Sequence, residues 1–174
     1  MTAPVFGIAG WKNAGKTTLT ERLVAGFTLR GVRVATVKHS HHAAMAGGPE
    51  TDSARHARAG AMATALVWPG GWMLDAEAMA GQEPDLPGVL ARLPACDLVL
   101  VEGYKSAPHE KIELRRLGQP DRRPLAGHVP NVAAIAADHP VETALPVFAL
   151  DDIDAIIAFI AQRTGLHMPP RKSP

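Results

Sequence analysis

Short apolar runs bounded by glycine, proline or charge recur along this chain, alternating with stretches whose apolar residues return every three or four positions. Val5-Phe6-Gly7-Ile8-Ala9 reads as a buried strand. Over residues 18–27, Leu19, Leu23, Val24 and Phe27 share one helical face, and Arg30-Gly31 marks the helix end, where glycine suits the left-handed position. Val32 to Lys38 is a second strand, rich in β-branched residues. A strand–helix–strand unit with this crossover length predicts parallel pairing and a right-handed connection. Asp52 or Ser53 caps a short helix at 54–59, stopped at Gly60, and Pro69-Gly70 joins predicted strands at 63–68 and 71–74. A helix follows at 85–93, with Pro87 tolerable near its start. Leu98 to Val101 is a central strand, buried on both faces. Lys111 to Arg116 alternates charged and apolar, the mark of a half-exposed strand. Strands at 132–136 and 146–150 precede a final helix at 153–164, capped by Asp151 or Asp152, that buries Ile153, Ile156, Ile157 and Ile160. Residues 166–174, with three prolines, read as a flexible tail.

The first strand and helix enclose Gly10-Trp11-Lys12-Asn13-Ala14-Gly15-Lys16-Thr17, which fits G-x-x-x-x-G-K-[ST]. Strand, glycine loop and helix are the parts of a phosphate-binding P-loop. Gly10 and Gly15 let the loop curl its backbone N–H groups inward, and the helix adds its unpaired N-terminal donors. The phosphate-contacting candidates are Gly10, Lys12, Asn13, Ala14, Gly15, Lys16, Thr17 and Thr18. Lys16 is placed to reach the β- and γ-phosphates, and Thr17 to offer its hydroxyl to Mg²⁺. The predicted fold is α/β of the P-loop NTPase class: a mostly parallel central sheet flanked by helices, with an additional antiparallel hairpin region. Residues 1–165 are expected to form a single domain.

An acid stands at each end of the central strand. Asp97 precedes it, at the sheet edge remote from the P-loop, whereas Glu102 follows it and emerges beside the loop. Glu102 is therefore the candidate to hold Mg²⁺, directly or through water, or to orient an attacking water, with Lys16 as the other catalytic candidate. His39-Ser40-His41-His42 follows the second strand at the edge where open α/β sheets bind ligands. Two readings stay open for these histidines: hydrogen bonding to neighbouring loops, or metal ligation completed by Asp52 or His56. Arg115, Arg116, Arg122 and Arg123 span a turn; they form either a solvated hairpin or a lid that clamps a transferred phosphate. None is clearly aimed at the P-loop, and no catalytic glutamine is evident beside it. Asp138, ending the strand at 132–136, is the candidate acceptor for a guanine edge, although no N-K-x-D sequence is present. Trp68 and Trp72 are assigned to the core or to a subunit contact, and the strands at 63–74 and 111–117 are candidates for subunit pairing.

Composition narrows the classes. With 47% hydrophobic and 20% charged residues the 174-residue chain reads as soluble and globular. A formal net charge of +1 gives no basic footprint for nucleic acid. Cys96 is the single cysteine, so neither an intrachain disulfide nor a cysteine-based zinc site is expected. No apolar stretch reaches membrane-spanning length, and the start of the chain offers no signal-peptide pattern, so the cytoplasm is the expected location.

Several segments together resemble the molybdopterin-guanine dinucleotide biosynthesis adapter family, MobB: G-W-K-N-A-G-K-T-T-L at 10–19, V-K-H-S-H-H at 37–42, D-S-A-R at 52–55 with A-G-A at 59–61, D-L-V-L-V-E-G-Y-K at 97–105, K-I-E-L at 111–114 and A-A-D at 136–138. The resemblance implies a homodimeric GTP-binding protein with weak Mg²⁺-dependent GTPase activity. It implies assistance to the guanylyltransferase that attaches GMP to molybdopterin, and it leaves open whether molybdopterin touches this chain. Carried over by motif, Gly10 to Thr18 hold the phosphates and Thr17 and Glu102 are the magnesium candidates. The sequence departs from the family at 43–50, where Ala-Ala-Met-Ala-Gly-Gly-Pro-Glu replaces a stretch that is often acidic. The rival reading is a small-molecule kinase using Arg115–Arg123 as its lid.

Overall fold

The computed structural model describes residues 3–39, 52–76 and 84–168. In chain order the elements are β1 (Val5–Gly10), α1 (Lys16–Thr28), β2 (Val34–Lys38), α2 (Asp52–Arg58), β3 (Ala63–Trp68), β4 (Gly71–Ala76), α3 (Leu86–Leu90), β5 (Leu98–Glu102), β6 (Lys111–Arg115), β7 (Val132–Ala137), β8 (Val147–Ala149) and α4 (Ile153–Thr164). Within the span expected as one domain, the contacts fall into two compact units, residues 1–39 with 89–174, and residues 40–88.

The larger unit is built on a six-stranded sheet in the order β2-β5-β1-β6-β7-β8. Every pairing in it is parallel. Parallel sheets need cover on both faces, which explains the unbroken apolar run of β5. On one face, Phe6, Ile8, Leu98, Leu100, Ile112, Leu114, Ala134 and Ala136 pack against Leu19, Leu23 and Phe27 of α1 and Ile156, Ile157 and Ile160 of α4. Asp152 caps α4 by accepting from Ala155 N at 3.1 Å. Leu166 and Met168, at the start of the expected tail, pack against this core, and residues 169–174 lie outside the described residues.

The alternation in β6 has a different meaning from the one the sequence suggests. This strand is interior, between β1 and β7, and so is unavailable for subunit pairing through its edge. Lys111 and Glu113 are almost wholly buried. Ile112 and Leu114 point into the helix-covered core, while the polar face lies beneath the segment joining β6 to β7. Lys111 Nζ donates to the carbonyls of Ala107, His109 and Pro130 at 2.7–2.9 Å. Glu113 accepts from Leu125 N and Ala126 N at 2.8 and 2.9 Å and is gripped by both ends of the Arg115 fork. The connection thus lacks a helix and is pinned by buried charge. Gly7 is required by close packing, since a Cβ there would lie 2.6 Å from His109 Nε2.

The smaller unit contains the antiparallel β3–β4 hairpin, turning at Pro69-Gly70 as the sequence predicts. Leu66, Val67 and Trp68 are exposed on it. No helix among the described residues is long and apolar enough to cross a membrane.

Glu113→Ala would strand a buried guanidinium and two buried N–H groups, and is expected to cost about 3–5 kcal/mol, read by urea unfolding; a loss below about 1 kcal/mol would refute the pinning role. His109 gives a pH test. Burial and the neighbouring Lys111 lower its imidazole to about 4, from an ordinary value near 6.5. The unfolded chain therefore binds this proton first, so the stability present above about pH 6.5 is progressively lost as pH falls toward 4. His109→Gln should flatten that part of the stability profile, and an unchanged slope would exclude His109 as its source.

Candidate functional site

The P-loop leaves β1 at Gly10, passes through Asn13 in the left-handed region (φ 66°), and enters α1 through Gly15 (φ 88°). Asparagine tolerates that region and glycine adopts it without strain, so the local sequence allows the curl. A side chain at residue 15 would also press on the Arg116 guanidinium, which lies 3.1 Å from where its Cβ would stand. Ala14 is fully buried, and its N–H bonds Trp11 O at 3.2 Å. Lys16 Nζ folds back to donate to Trp11 O at 2.9 Å, while Lys12, Thr17 and Thr18 are exposed at the loop's mouth.

Parallel register brings the metal candidates together. Glu102 stands opposite Ile8 of β1 on one side and Lys38 of β2 on the other. From there its carboxylate meets the Thr17 hydroxyl, with Oγ1 at 3.1 and 3.2 Å from the two carboxylate oxygens. Glu102 is buried, so its charge needs a partner. Lys38 supplies one, its Nζ 3.7 Å from Glu102 Oε1 and 3.3 Å from Thr17 Oγ1. The Thr17 hydroxyl and the Glu102 carboxylate are oxygen donors of the kind that fits Mg²⁺, a hard ion, and such an ion would displace the Lys38 ammonium from the carboxylate. Sequence reasoning missed Lys38; its signal was that it ends the strand beside the Glu102 strand. Asp97 sits at the opposite end of β5, tied to Arg33 by bonds of 2.7 and 3.0 Å, which hold its carboxyl down at about 2. It is a structural pair, as its position before the strand suggests.

The surroundings of Lys16 are cationic. Burial lowers its ammonium below the ordinary value; Glu102 opposes that shift, and Lys105 and Lys38 reinforce it. Lys105 is stacked over the Trp11 ring, its Nζ 3.8 Å from the centroid, with the Arg123 guanidinium 4.9 Å from the same centroid. Trp11 Nε1 donates to Arg123 O at 2.7 Å, so the loop is clasped by two neighbouring segments.

The arginines do not gather into a lid. Arg115 is held by Glu113, Arg122 bonds Leu117 O, and Arg123 pairs with Asp121. Arg116 lies against Gly15 and Arg123 over the Trp11 ring, so two arginines reach the P-loop where the sequence showed none clearly aimed at it. Asp138 stands apart from the phosphate loop's own hydrogen bonds. Its Oδ1 accepts from Leu117 N at 3.0 Å and bonds His139 Nδ1 at 2.8 Å, and these bonds lower its carboxyl. A cavity of about 700 Å³ opens there, lined by Arg22, Arg116, Asp138, His139, Phe148 and Asp151 among others. That is a volume suited to a small ligand.

His39 is the described member of the histidine cluster. Its N–H donates to Glu102 O at 2.9 Å and its ring stacks on Tyr104 at 4.6 Å. His41, His42 and residues 43–51 lie outside the described residues, and among the described residues no three metal-ligating side chains cluster.

An all-parallel sheet with a glycine loop leading from its central strand into a helix, and a carboxylate ending the adjacent strand, defines a P-loop NTPase-like α/β protein. The comparisons narrow the class. A family model described as "Molybdopterin guanine dinucleotide synthesis protein B" matches residues 5–138. The chain is 32% identical over 168 residues to the molybdopterin-guanine dinucleotide biosynthesis adapter protein of Escherichia coli, covering 91% of this chain and 92% of that one. It is 34% identical over 157 residues to the Haemophilus influenzae protein of the same name, covering 90% and 87%. Among solved structures, the MobB homolog from Bacillus stearothermophilus aligns with a TM-score of 0.70 at 34% identity, over 94% of this chain and 99% of that chain. Bacillus subtilis MobB aligns with a TM-score of 0.71 at 26% identity, over 92% and 98%. The chain belongs to the MobB family.

Glu102→Gln keeps the side-chain shape and removes the charge facing Thr17. The strengthening of triphosphate binding by Mg²⁺ should fall about 10–100-fold, the range for losing one partner of a metal site. Calorimetric titration with and without Mg²⁺ reads this, and an undiminished magnesium effect would exclude Glu102 as a partner.

Proposed function

We propose that this chain is a GTP-binding adapter in molybdopterin guanine dinucleotide biosynthesis, hydrolysing GTP slowly and serving the guanylyltransferase that joins GMP to molybdopterin. The observation that carries the nucleotide reading is the Thr17–Glu102 contact across the mouth of the P-loop, beside a half-buried Lys16. The adapter assignment rests on the names of the relatives and on family membership. Gly10, Lys12, Asn13, Ala14, Gly15, Lys16, Thr17 and Thr18 would line the phosphates, and Thr17 with Glu102 would hold Mg²⁺. Magnesium, when bound, neutralises phosphate charge there.

Guanine is the proposed base on the strength of family membership, and the cavity beside Asp138, on the far side of the loop from Glu102, is where a base attached to bound phosphates would extend. Slow turnover is supported by the engagement of Arg115 with Glu113, Arg122 with Leu117 O and Arg123 with Asp121 and the Trp11 ring, since an arginine given to the transition state is worth about 10³–10⁵ in rate. The same engagement weighs against the kinase reading. Two copies would pair through surfaces such as the exposed Leu66-Val67-Trp68 stretch of the hairpin.

The test is nucleotide affinity of the purified protein with Mg²⁺. GTP should bind more tightly than ATP, Lys16→Ala should abolish binding, and phosphate release should be slow. Preference for ATP would overturn the base assignment, and rapid phosphoryl transfer to a small acceptor would replace the adapter with a kinase. Guanylyltransferase stimulation that survives Lys16→Ala intact would show the adapter role to be nucleotide-independent.

A further inference from the structure

We infer that Arg116 is a base-stacking residue: its guanidinium plane carries the nucleobase of the bound nucleotide and leaves the transferred phosphoryl group alone. This deepens the nucleotide reading proposed above and rests on it. Three observations converge. First, Cζ, Nε and Nη2 of Arg116 all lie 3.1 Å from the point a Cβ on Gly15 would occupy. Equal distances to three atoms of a planar group mean that Gly15 meets the guanidinium face-on, so the opposite face is turned away from the loop. Second, Arg116 is exposed and lines the cavity with Asp138, and among the described residues no carboxylate or carbonyl holds its guanidinium. The other three arginines of the segment are all engaged, so this one is left for a ligand.

The third observation is its side of the sheet. β1 carries the loop, β5 with Glu102 flanks it on one side, and β6 with Arg116 flanks it on the other. The triphosphate's reacting end must lie toward Thr17 and Glu102, so Arg116 addresses the remaining part of the molecule. A guanidinium is planar, weakly hydrated and always charged, and it stacks on aromatic faces better than an ammonium does. Arg22, on the cavity's other wall, is committed to Leu150 O and Asp151 O, both at 3.3 Å, and so shapes the β8–α4 turn instead. Within the cavity the labour divides: Arg116 supplies a stacking plane for either purine, and the edge around Asp138 discriminates between them.

The experiment compares wild type, Arg116→Ala and Arg116→Lys by calorimetric titration with Mg-GTP, Mg-GDP and inorganic tripolyphosphate, thermal unfolding confirming that each variant is folded. Both variants should bind GTP and GDP on the order of ten- to a hundredfold more weakly, the scale of one lost stacking contact. Tripolyphosphate affinity should be unchanged in Arg116→Ala. A parallel loss of tripolyphosphate affinity would make Arg116 a phosphate ligand and overturn the inference. Full rescue by lysine would show that charge and not the plane matters, and unchanged GTP affinity would remove Arg116 from the site; either result overturns it too. Wild type binding neither GTP nor tripolyphosphate would sink the nucleotide reading itself and this inference with it.

Discussion

Parallel pairing of β1 between β5 and β6 is the constraint on which the site depends. Because all six strands of this sheet run the same way, their C-terminal ends open on one edge, where the loops leaving β1, β5, β6 and β7 emerge. The Thr17–Glu102 contact follows from two placements. Register sets Glu102 level with Ile8 just before the loop, and the loop's curl brings the first turn of α1 back over the strand end. Neither residue needs long-range guidance beyond that pairing. The same register puts Lys38 beside Glu102, so the buried carboxylate acquires its cation from the next strand without any special loop.

Much of this geometry was legible in the residues. The P-loop carried its own flanks, and placing Glu102 beside the loop and Asp97 at the remote edge needed only the polarity of the strand between them. The hairpin turned where Pro69-Gly70 said it would, and α4 began at an aspartate cap. What failed was the inference from alternation to exposure in β6. A period of two reports that the two faces of a strand differ, and a polar face can be covered by polar chain as well as by water. Glu113 is satisfied by amides of the connection and Lys111 by its Pro130 carbonyl together with those of Ala107 and His109 before the strand, and nothing local to residues 111–116 encodes those partners. Arg116 was hidden for a related reason: in sequence it is one of four arginines, and only tertiary pairing reveals that its companions are taken.

Buried charge in β6 also bears on function. A helical crossover would shield the sheet by apolar packing, but here the segment between β6 and β7 is anchored to Lys111 and Glu113 and then reaches the P-loop through Arg123 and Trp11. Breaking such an anchor leaves an unpaired charge in the interior, so the connection is held more specifically than apolar contact alone would hold it. Asp138, by accepting from Leu117 N, ties the β7 end to the same segment. The walls of the cavity and the clasp on the loop are therefore parts of one polar framework.

Electrostatics bears on the proposed nucleotide. Burial pushes the Lys16 ammonium below its ordinary value, with Glu102 opposing the shift and Lys105 and Lys38 reinforcing it. Lys105 is lowered by burial as well, with Asp121 opposing and Arg123 reinforcing the shift. Cations gathered this closely raise one another's cost by burial and like-charge repulsion, and a bound polyphosphate would relieve it by supplying negative charge. Relief of that kind strengthens binding in the ground state. It does not by itself favour the transition state, which would need a further group placed where charge develops during transfer. With Arg115 and Arg122 bound to their own segment, Arg123 shared between Asp121 and the Trp11 ring, and Arg116 on the side away from Glu102, the proposed nucleotide would be held more readily than hydrolysed.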